Sequence, residues 1–530
     1  MTLETRITPL PKHPPGMAQR TAASHAPREA EPNFRARLDE AERLLVQGQD
    51  SRALAICEQL VSRDPAYTGA LNLLANLHLA KGDFPRALSF LVRSQMLNPH
   101  DGATLKLLAA TYGKLGSWEM AARVLREVLA LSPDDMEALL AYSDIMRREQ
   151  EYEIAASGYR KVLATGSLLQ AAETGLAMCN AAVGQFDEAA RGFKNLLDSG
   201  MRSMPLLFNA LQVRSRLPNL DWLGLAAGIK RGAAEDKNDF DTAMAFLKAG
   251  IFDRAGRHAE AWQELVPANV RQFSTMREAW RRQAADLEAS MARVRDSIAQ
   301  VAETGPEDGN PPVSLLILGP PRSGKTTLER VLASLGQVKR GYENPIIENA
   351  VRRAYQSAGF PASRQYWGMP AQVEALCRKF YLDELRRRAG AAKVFTNSDP
   401  DRILEAARIA AIIPNVRFAF VKRNPEDLAL RIFMKNFAGG NAYAYDLSAI
   451  RQYIAWYQQF IDILAAKYPG ISRVVHYEEM VGNPVETCRN IARLCGLDAT
   501  NLPLDAIEDD RNCAAPYRAL MSQMETAGPQ

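Results

Sequence analysis

Glycine and alanine recur along the first half of the chain at one fixed interval, and few folds accommodate such a rhythm. Gly48, Gly82, Gly116 and Gly184 fall in phase at about 34 residues, with Gln150 at the missing step. Ala53, Ala87, Ala121, Ala155 and Ala189 follow each break at the same offset. Pro65, Pro99 and Pro133, in SRDPAY, MLNPHD and ALSPDD, form a third series, each behind an apolar helical stretch. Glycine permits a tight turn between helices, alanine lets two helices approach, and proline stops one helix and starts the next. One such hairpin cannot bury its apolar face alone. Consecutive hairpins are therefore expected to stack into a right-handed solenoid with a concave surface.

The interval and landmarks resemble those of tetratricopeptide (TPR) repeats. The α-helical array is expected over residues 34–275, as five clear repeats followed by one or two degenerate ones in which FDTAMAFLKAGIFDRAGRHAEAWQEL retains Gly256 and Ala261. Such a platform recognises a peptide, an acceptor or a partner protein and carries no chemistry of its own; it could equally dock a second copy of the chain. Residues 1–33 are proline-rich and read as a disordered lead-in. An amphipathic helix over residues 276–303 is expected to cap the array or bridge to TGPEDGNPP, residues 304–312, a linker at a domain boundary.

Composition narrows the classes. With 530 residues, 47% hydrophobic and 24% charged, the chain has globular proportions and the length of about three domains. A formal charge of +4 gives no basis for general nucleic-acid or anionic-membrane binding, so an anion site must be local. Cys57, Cys179, Cys377, Cys488, Cys495 and Cys513 show neither CxxC nor metal-ligand spacing, which argues against zinc or a disulfide framework and for a reducing cytoplasm. No apolar stretch approaches the roughly 18–20 residues of a membrane span.

The chemistry is expected in residues 313–530. VSLLILGPPRSGKTTLERVLASL reads as strand, glycine-rich turn and amphipathic helix, and its segment Gly319–Thr326 satisfies GxxxxGK[ST] in the context that motif requires. Loop N–H groups, the helix dipole, Arg322 and Lys325 then favour one anion. NVRFAFVKRNPEDLALRIF is a second strand, ending in Lys422 and Arg423, and the helix that follows carries Arg431 near enough to Arg423 to share a phosphate. Two separate anion sites fit a nucleotide phosphorylated at both ends. A kinase or nucleoside triphosphatase would instead hold Mg²⁺ between Thr326 and an acidic strand end, and the nearest candidate, Asp399, lies past a polar turn.

LLILGPPRSGKTTLERVLASLGQVKRGYENPII resembles the 5′-phosphosulfate loop of sulfotransferases that use 3′-phosphoadenosine-5′-phosphosulfate (PAPS), usually PRSGTTLL followed by a glutamate-bearing GGE or GAGEL. FAFVKRNPEDLALRIFMKNF resembles their 3′-phosphate segment, RxPxD. FAGGNAYAYDLSAIRQYIAWYQQFIDIL and RVVHYEEMVGNPVETCRNIARLCGL resemble the later helices and YEDLV segment of the bacterial TPR-fused sulfotransferase family. The resemblance implies a helical TPR solenoid followed by an α/β P-loop-like domain with a central parallel sheet, the sulfotransferase fold. It implies PAPS as sulfonyl donor without a metal. Pro321, Arg322, Ser323, Gly324, Lys325, Thr326 and Thr327 would surround the 5′-phosphosulfate, and Arg423 and Arg431 would meet the 3′-phosphate. Glu343 falls where the family carries its general base, with Lys325 and Arg322 offsetting charge on the sulfonyl and leaving-phosphate oxygens. The acceptor would be a hydroxyl of a protein, glycan or glycolipid.

The chain departs from the family at three of these places: Lys325 replaces a threonine, Ser398 replaces the lysine of FTDKMPLN, and Arg431 replaces a serine. Arg511 and Arg518, in a short C-terminal stretch, are further candidate nucleotide contacts. By residue type alone, Glu343 reads as a helix N-terminal carboxylate, Glu348 as a surface helix residue and His476 as structural. A non-catalytic TPR scaffold with a degenerate nucleotide site therefore stands beside the enzyme and the kinase or triphosphatase as an alternative.

Overall fold

The structure is a computed structural model that describes residues 32–526 apart from 234, 299–300, 302–310, 364, 438, 500–506 and 508. The lead-in expected over residues 1–33 and the linker over 304–312 thus lie almost wholly outside the described residues. The chain divides after Ala182 into two compact units.

In the first unit α1 (Pro32–Val46) pairs with α2 (Asp50–Arg63), α3 (Thr68–Ala80) with α4 (Phe84–Leu97), α5 (Gly102–Lys114) with α6 (Trp118–Leu131), and α7 (Met136–Arg148) with α8 (Tyr152–Ala164), before α9 (Leu169–Val183). The repeat landmarks do the physical work expected of them. Gly48, Gly82 and Gly116 take φ of +72°, +75° and +71°, and Gln150 takes the same left-handed conformation at +61° where the series lacks a glycine. Ala53, Ala87, Ala121 and Ala155 are fully buried. The three prolines lie in the breaks between hairpins; Asp101 and Asp135 cap the helices after Pro99 and Pro133 by accepting from the N–H of Thr104 and Ala138 at 3.0 and 2.9 Å, and Asp83 caps α4 after the Gly82 turn by accepting from the N–H of Arg86 at 3.3 Å. Successive hairpins stack through α2 on α3, α4 on α5 and α6 on α7, which buries the apolar stripe each would otherwise expose.

The second unit opens with α10 (Phe186–Asp198), α11 (Met204–Gln212), α12 (Trp222–Ala227), α13 (Lys237–Arg254) and α14 (His258–Ser297). The helix expected over residues 276–303 is not a separate element. It is the C-terminal part of α14, which runs 40 residues straight through Pro267 and through the array end expected near residue 275. An interior proline costs about 3 kcal/mol. Against it, Trp262, Leu265, Trp280, Leu287 and Met291 are buried along α14, at roughly 1.5–3 kcal/mol for each fully buried side chain of this kind. Trp262 packs 5.4 Å from the Phe433 ring and Trp280 5.9 Å from that of Tyr443, while Trp456 donates its indole N–H to the Leu287 carbonyl at 3.1 Å. Helix α14 therefore shares one core with the α/β domain.

That domain contains β1 (Val313–Leu318), α15 (Lys325–Ala333), β2 (Val338–Lys339), α16 (Ile346–Ser357), α17 (Ala371–Ala389), β3 (Val394–Asn397), α18 (Ala406–Ile412), β4 (Val416–Lys422), α19 (Pro425–Phe433), α20 (Leu447–Lys467), β5 (Ser472–His476), α21 (Tyr477–Gly482), α22 (Pro484–Leu494) and α23 (Arg518–Thr526). Its five strands form one parallel sheet in the order β2-β3-β1-β4-β5. Strand β1 is buried at every position, as a central parallel strand must be. Leu316 sits level with Asn397 and Phe418, and Lys422 with His476, so the segments leaving β1, β3, β4 and β5 emerge along one edge. In open parallel sheets that carboxyl edge is where ligands bind.

A left-handed backbone costs an L-residue about 1–2 kcal/mol even where space is open. A Cβ on Gly116 would meet nothing within 4 Å, and the same holds at Gly102, whose φ is not positive. Gly116→Ala is predicted to lower stability by about 1 kcal/mol in urea unfolding, whereas Gly102→Ala is predicted to be neutral. Equal effects would mean that the turn conformation is not what the glycine supplies.

Candidate active site

The segment after β1 turns sharply at the sheet edge. Arg322 takes φ +68° and Gly324 +105°, and a Cβ on Gly324 would approach the Tyr477 ring to 2.5 Å, so no larger residue fits there without displacing that ring. Ser323 is buried, and its hydroxyl has no partner among the described residues. Lys325 opens α15 and folds back so that Nζ donates to the Pro320 carbonyl at 3.2 Å. Burial lowers its ammonium to about 8, although Glu343, Asp399, Asp401 and Glu329 all favour the charged form. Arg322 and Thr326 are exposed, and Pro321 and Thr327 half-buried, beside this turn.

Arg423, at the end of β4, is almost completely buried over the face of Tyr477, 4.3 Å from the ring centroid. Its Nη1 donates to the Arg322 carbonyl at 3.0 Å. Its Nη2 donates to the backbone carbonyl and carboxylate of Asp510 at 2.7 and 2.9 Å. Arg431, two turns along α19, reaches the same carboxylate through Nε at 2.9 Å and Nη2 at 2.5 Å. Its Nη1 pairs with Asp253 of α13 at 2.9 Å, and the Tyr517 hydroxyl donates to Asp253 at 2.8 Å. The two arginines thus converge on one anion, as their spacing predicts, and that anion is a side chain of the same protein. Burial alone would raise the Asp510 carboxyl, but hydrogen bonds and charge from Arg431 and Arg423 hold it below the ordinary carboxylate range.

Glu343 stands exposed on the loop between β2 and α16. Loss of surrounding water, together with the charges of Asp399 and Asp401, raises its carboxyl above the usual value against the pull of Lys325. The loop is anchored from behind by a residue the sequence reading did not single out. Glu329, fully buried on α15, accepts the Tyr342 N–H at 2.9 Å and the Thr396 hydroxyl, and lies 3.5 Å from Nε of buried Arg340. Arg340 in turn lies 4.2 Å from the Tyr342 ring centroid. Asn344 donates to the carbonyls of Gly341 and Thr396 at 3.0 and 3.2 Å. A signal for Glu329 existed: Lys325, Leu328, Glu329 and Leu332 share one buried face of α15, where a carboxylate requires a partner. Nothing local marked Asp510 or Asp253, which lie 79 and 178 residues from Arg431.

Other candidates fall elsewhere. Lys422 turns to Asp462 at 2.5 Å and does not join Arg423. Arg511 pairs with Asp509 at 2.6 Å on the surface, and Arg518 and His476 are exposed. Glu348 is no solvated surface residue, since it accepts from the buried Arg402 at 2.8 Å. Ser398 is buried and donates its N–H to the Tyr342 carbonyl at 2.7 Å, so no cation occupies that position. Asp399 accepts from Arg402 at 2.9 Å and from the Asp401 N–H at 3.0 Å.

Residues 312–501 match the model of the sulfotransferase family, and residues 44–111 and 107–168 match two tetratricopeptide repeat models. The chain joins TPR repeats to a sulfotransferase-family domain. An uncharacterised protein of Aquifex aeolicus (strain VF5) is 21% identical over 261 residues, which are 48% of this chain and 34% of that protein. The match thus spans about a third of the length of this curated relative. Among solved structures, a tetratricopeptide repeat protein from Parabacteroides merdae ATCC 43184 is 18% identical with a TM-score of 0.36, covering 44% of this chain and 91% of that one. MamA is 16% identical with a TM-score of 0.28, over 34% and 97% of the two chains. YrrB, a TPR protein with an unusual peptide-binding site, is 17% identical with a TM-score of 0.28, over 34% and 85%. Among the described residues, no group of three or more His, Cys, Asp or Glu could hold a metal ion, and no helix is long and apolar enough to cross a membrane.

The depressed Lys325 ammonium carries a pH prediction for the sulfotransferase domain. Below about pH 8 the lysine is charged in the free protein, and above it the charge is lost unless an anion restores it. Affinity of this turn for a phosphate-bearing ligand should therefore fall above pH 8, by up to about tenfold per pH unit. Titration calorimetry between pH 7 and 9.5 would show this decline in the native protein and a flat profile in Lys325→Met; parallel profiles would remove Lys325 from the anion site.

Proposed function

We propose that the protein transfers a sulfonyl group from PAPS to a hydroxyl of a large acceptor, a protein, glycan or glycolipid, which the TPR array recruits directly or through a partner. In this reading residues 34–275 recruit, 276–312 bridge and 313–530 perform the transfer, in a reducing cytoplasm that suits six free thiols. The observation that carries the reading is a meeting at one sheet edge. The turn with Lys325 follows β1, Arg423 and Arg431 follow β4, and Glu343 stands where its charge acts on Lys325.

The residues present suit PAPS. A buried, unpartnered hydroxyl such as that of Ser323 is rare unless it serves a ligand, and two guanidinium groups already oriented on one carboxylate can grip a phosphate. Pro321, Arg322, Ser323, Gly324, Lys325, Thr326 and Thr327 would hold the 5′ end, and Arg423 and Arg431 the 3′-phosphate. When bound, PAPS supplies the activated sulfonyl group and a phosphate leaving group. The chain supplies the rest. Lys325, Arg322 and the N–H groups at the start of α15 hold positive charge where negative charge develops. Glu343 takes the acceptor's hydroxyl proton onto its carboxylate, and its raised proton affinity brings it closer to the working range of a base near neutral pH. With Ser398 in place of the family's lysine, Lys325 is the ammonium left to act at the transferred group. Kinase or triphosphatase chemistry has less support, because Asp399 is committed to Arg402 and to a backbone N–H.

Calorimetric titration with adenosine 3′,5′-bisphosphate, and separately with ATP and Mg²⁺, tests this reading. Metal-independent binding of the bisphosphate is expected, weakened about ten- to a hundredfold by Lys325→Ala or Arg423→Ala. Glu343→Gln should keep that affinity and lose turnover by roughly 10²–10⁴-fold. Binding of Mg·ATP alone would move the domain to the kinase and triphosphatase class, and binding of neither would favour a scaffold.

A further inference from the structure

The Arg423–Arg431 pair already holds an anion. Three N–H donors, Nη2 of Arg423 and Nε and Nη2 of Arg431, close on the Asp510 carboxylate at 2.5–2.9 Å. The remaining Nη1 of Arg431 is held by Asp253, so the two guanidinium groups already face two carboxylates. Asp510 is fixed in place. Two residues on, Asp427 of α19, itself buried, accepts the N–H of Asn512 at 2.7 Å and of Ala514 at 2.9 Å. Tyr517 is buried and bonded to Asp253. A carboxylate on a strap docked this way is present at high effective concentration and competes with any free anion for the same donors.

We propose that Asp510 is an internal stand-in for the nucleotide's 3′-phosphate, so that a 3′-phosphorylated donor binds only by displacing it, and that this residue sets how strongly the protein distinguishes nucleotides with and without that phosphate. The inference rests on the donor reading above and deepens it. The Asp510 carboxylate acts through the two arginines, so Asp510 is an affinity-determining residue, not a catalytic one.

The test compares the full-length native protein, Asp510→Ala and Asp510→Asn in calorimetric titrations with adenosine 3′,5′-bisphosphate and with adenosine 5′-monophosphate. Removing the competing carboxylate should tighten the bisphosphate at least tenfold in Asp510→Ala and to a lesser degree in Asp510→Asn, with the monophosphate unchanged within about twofold. Asp510→Asn keeps the shape of the strap, so it carries the test if Asp510→Ala shows an altered melting transition. Bisphosphate that binds the native protein with equal or greater affinity than both variants would overturn the role of Asp510 and leave the donor reading standing. Monophosphate tightening as much as bisphosphate would also overturn it, since the gain would then have no connection with the 3′ position. Absence of bisphosphate binding in all three proteins would overturn the donor reading itself.

Discussion

A guanidinium with almost no solvent access needs partners for its charge, and the position of Arg423 at the end of β4 makes that requirement organise the sheet edge. Its nitrogens hold the backbone of the turn after β1 through Arg322 and the C-terminal strap through Asp510, and its face rests on Tyr477 from the segment after β5. Three segments distant in sequence are thereby fixed relative to one another by one side chain. The turn after β1 depends on the same arrangement, because Tyr477 fills the space beside Gly324.

A second buried charge does similar service for the opposite wall. Glu329 projects from the helix that begins with Lys325 and holds the backbone of the loop that carries Glu343. Lys325 and Glu343 are thus mounted on one continuous frame of α15, β3 and the 340–344 loop, so their separation does not rely on the flexible side chains themselves. The opposing shifts of the two groups, the lysine lowered and the glutamate raised, both follow from loss of surrounding water, which Asp399 and Asp401 oppose at the lysine and reinforce at the glutamate. An amine poised near neutrality beside a carboxyl of raised proton affinity is an arrangement that serves proton transfer and anion stabilisation together.

The last helical hairpin of the array belongs mechanically to the α/β domain. Helix α14 lies in its core, and α13 contributes Asp253, which takes one nitrogen of Arg431 and the hydroxyl of Tyr517. A change in the packing of α13 would therefore be felt at Arg431 without passing through the sheet. This explains why the amphipathic pattern over residues 276–303 could not be resolved from sequence into a cap or a bridge: its apolar stripe continues that of residues 258–275, and the partner that keeps it helical past Pro267 is the domain that follows.

The periodic and local features of this protein were legible in the chain alone. The left-handed breaks at Gly48, Gly82 and Gly116, the buried alanines, the strand-turn-helix around Lys325 and the basic strand end at Arg423 each depend on residues a few positions apart, whose conformational preferences act whatever surrounds them. Even Gln150 was placed by the rhythm of its neighbours. Long-range pairing was not legible. Lys422 and Arg423 are adjacent and chemically alike, yet the strand's alternation sends one to Asp462 and the other to Asp510. Arg431 could be read as an anion ligand, but not that its anions are Asp253 and Asp510, and Glu348 could not be seen to meet Arg402. Which opposite charge neutralises a buried one depends on what the folded chain brings within hydrogen-bond distance, and that is a property of the tertiary structure alone.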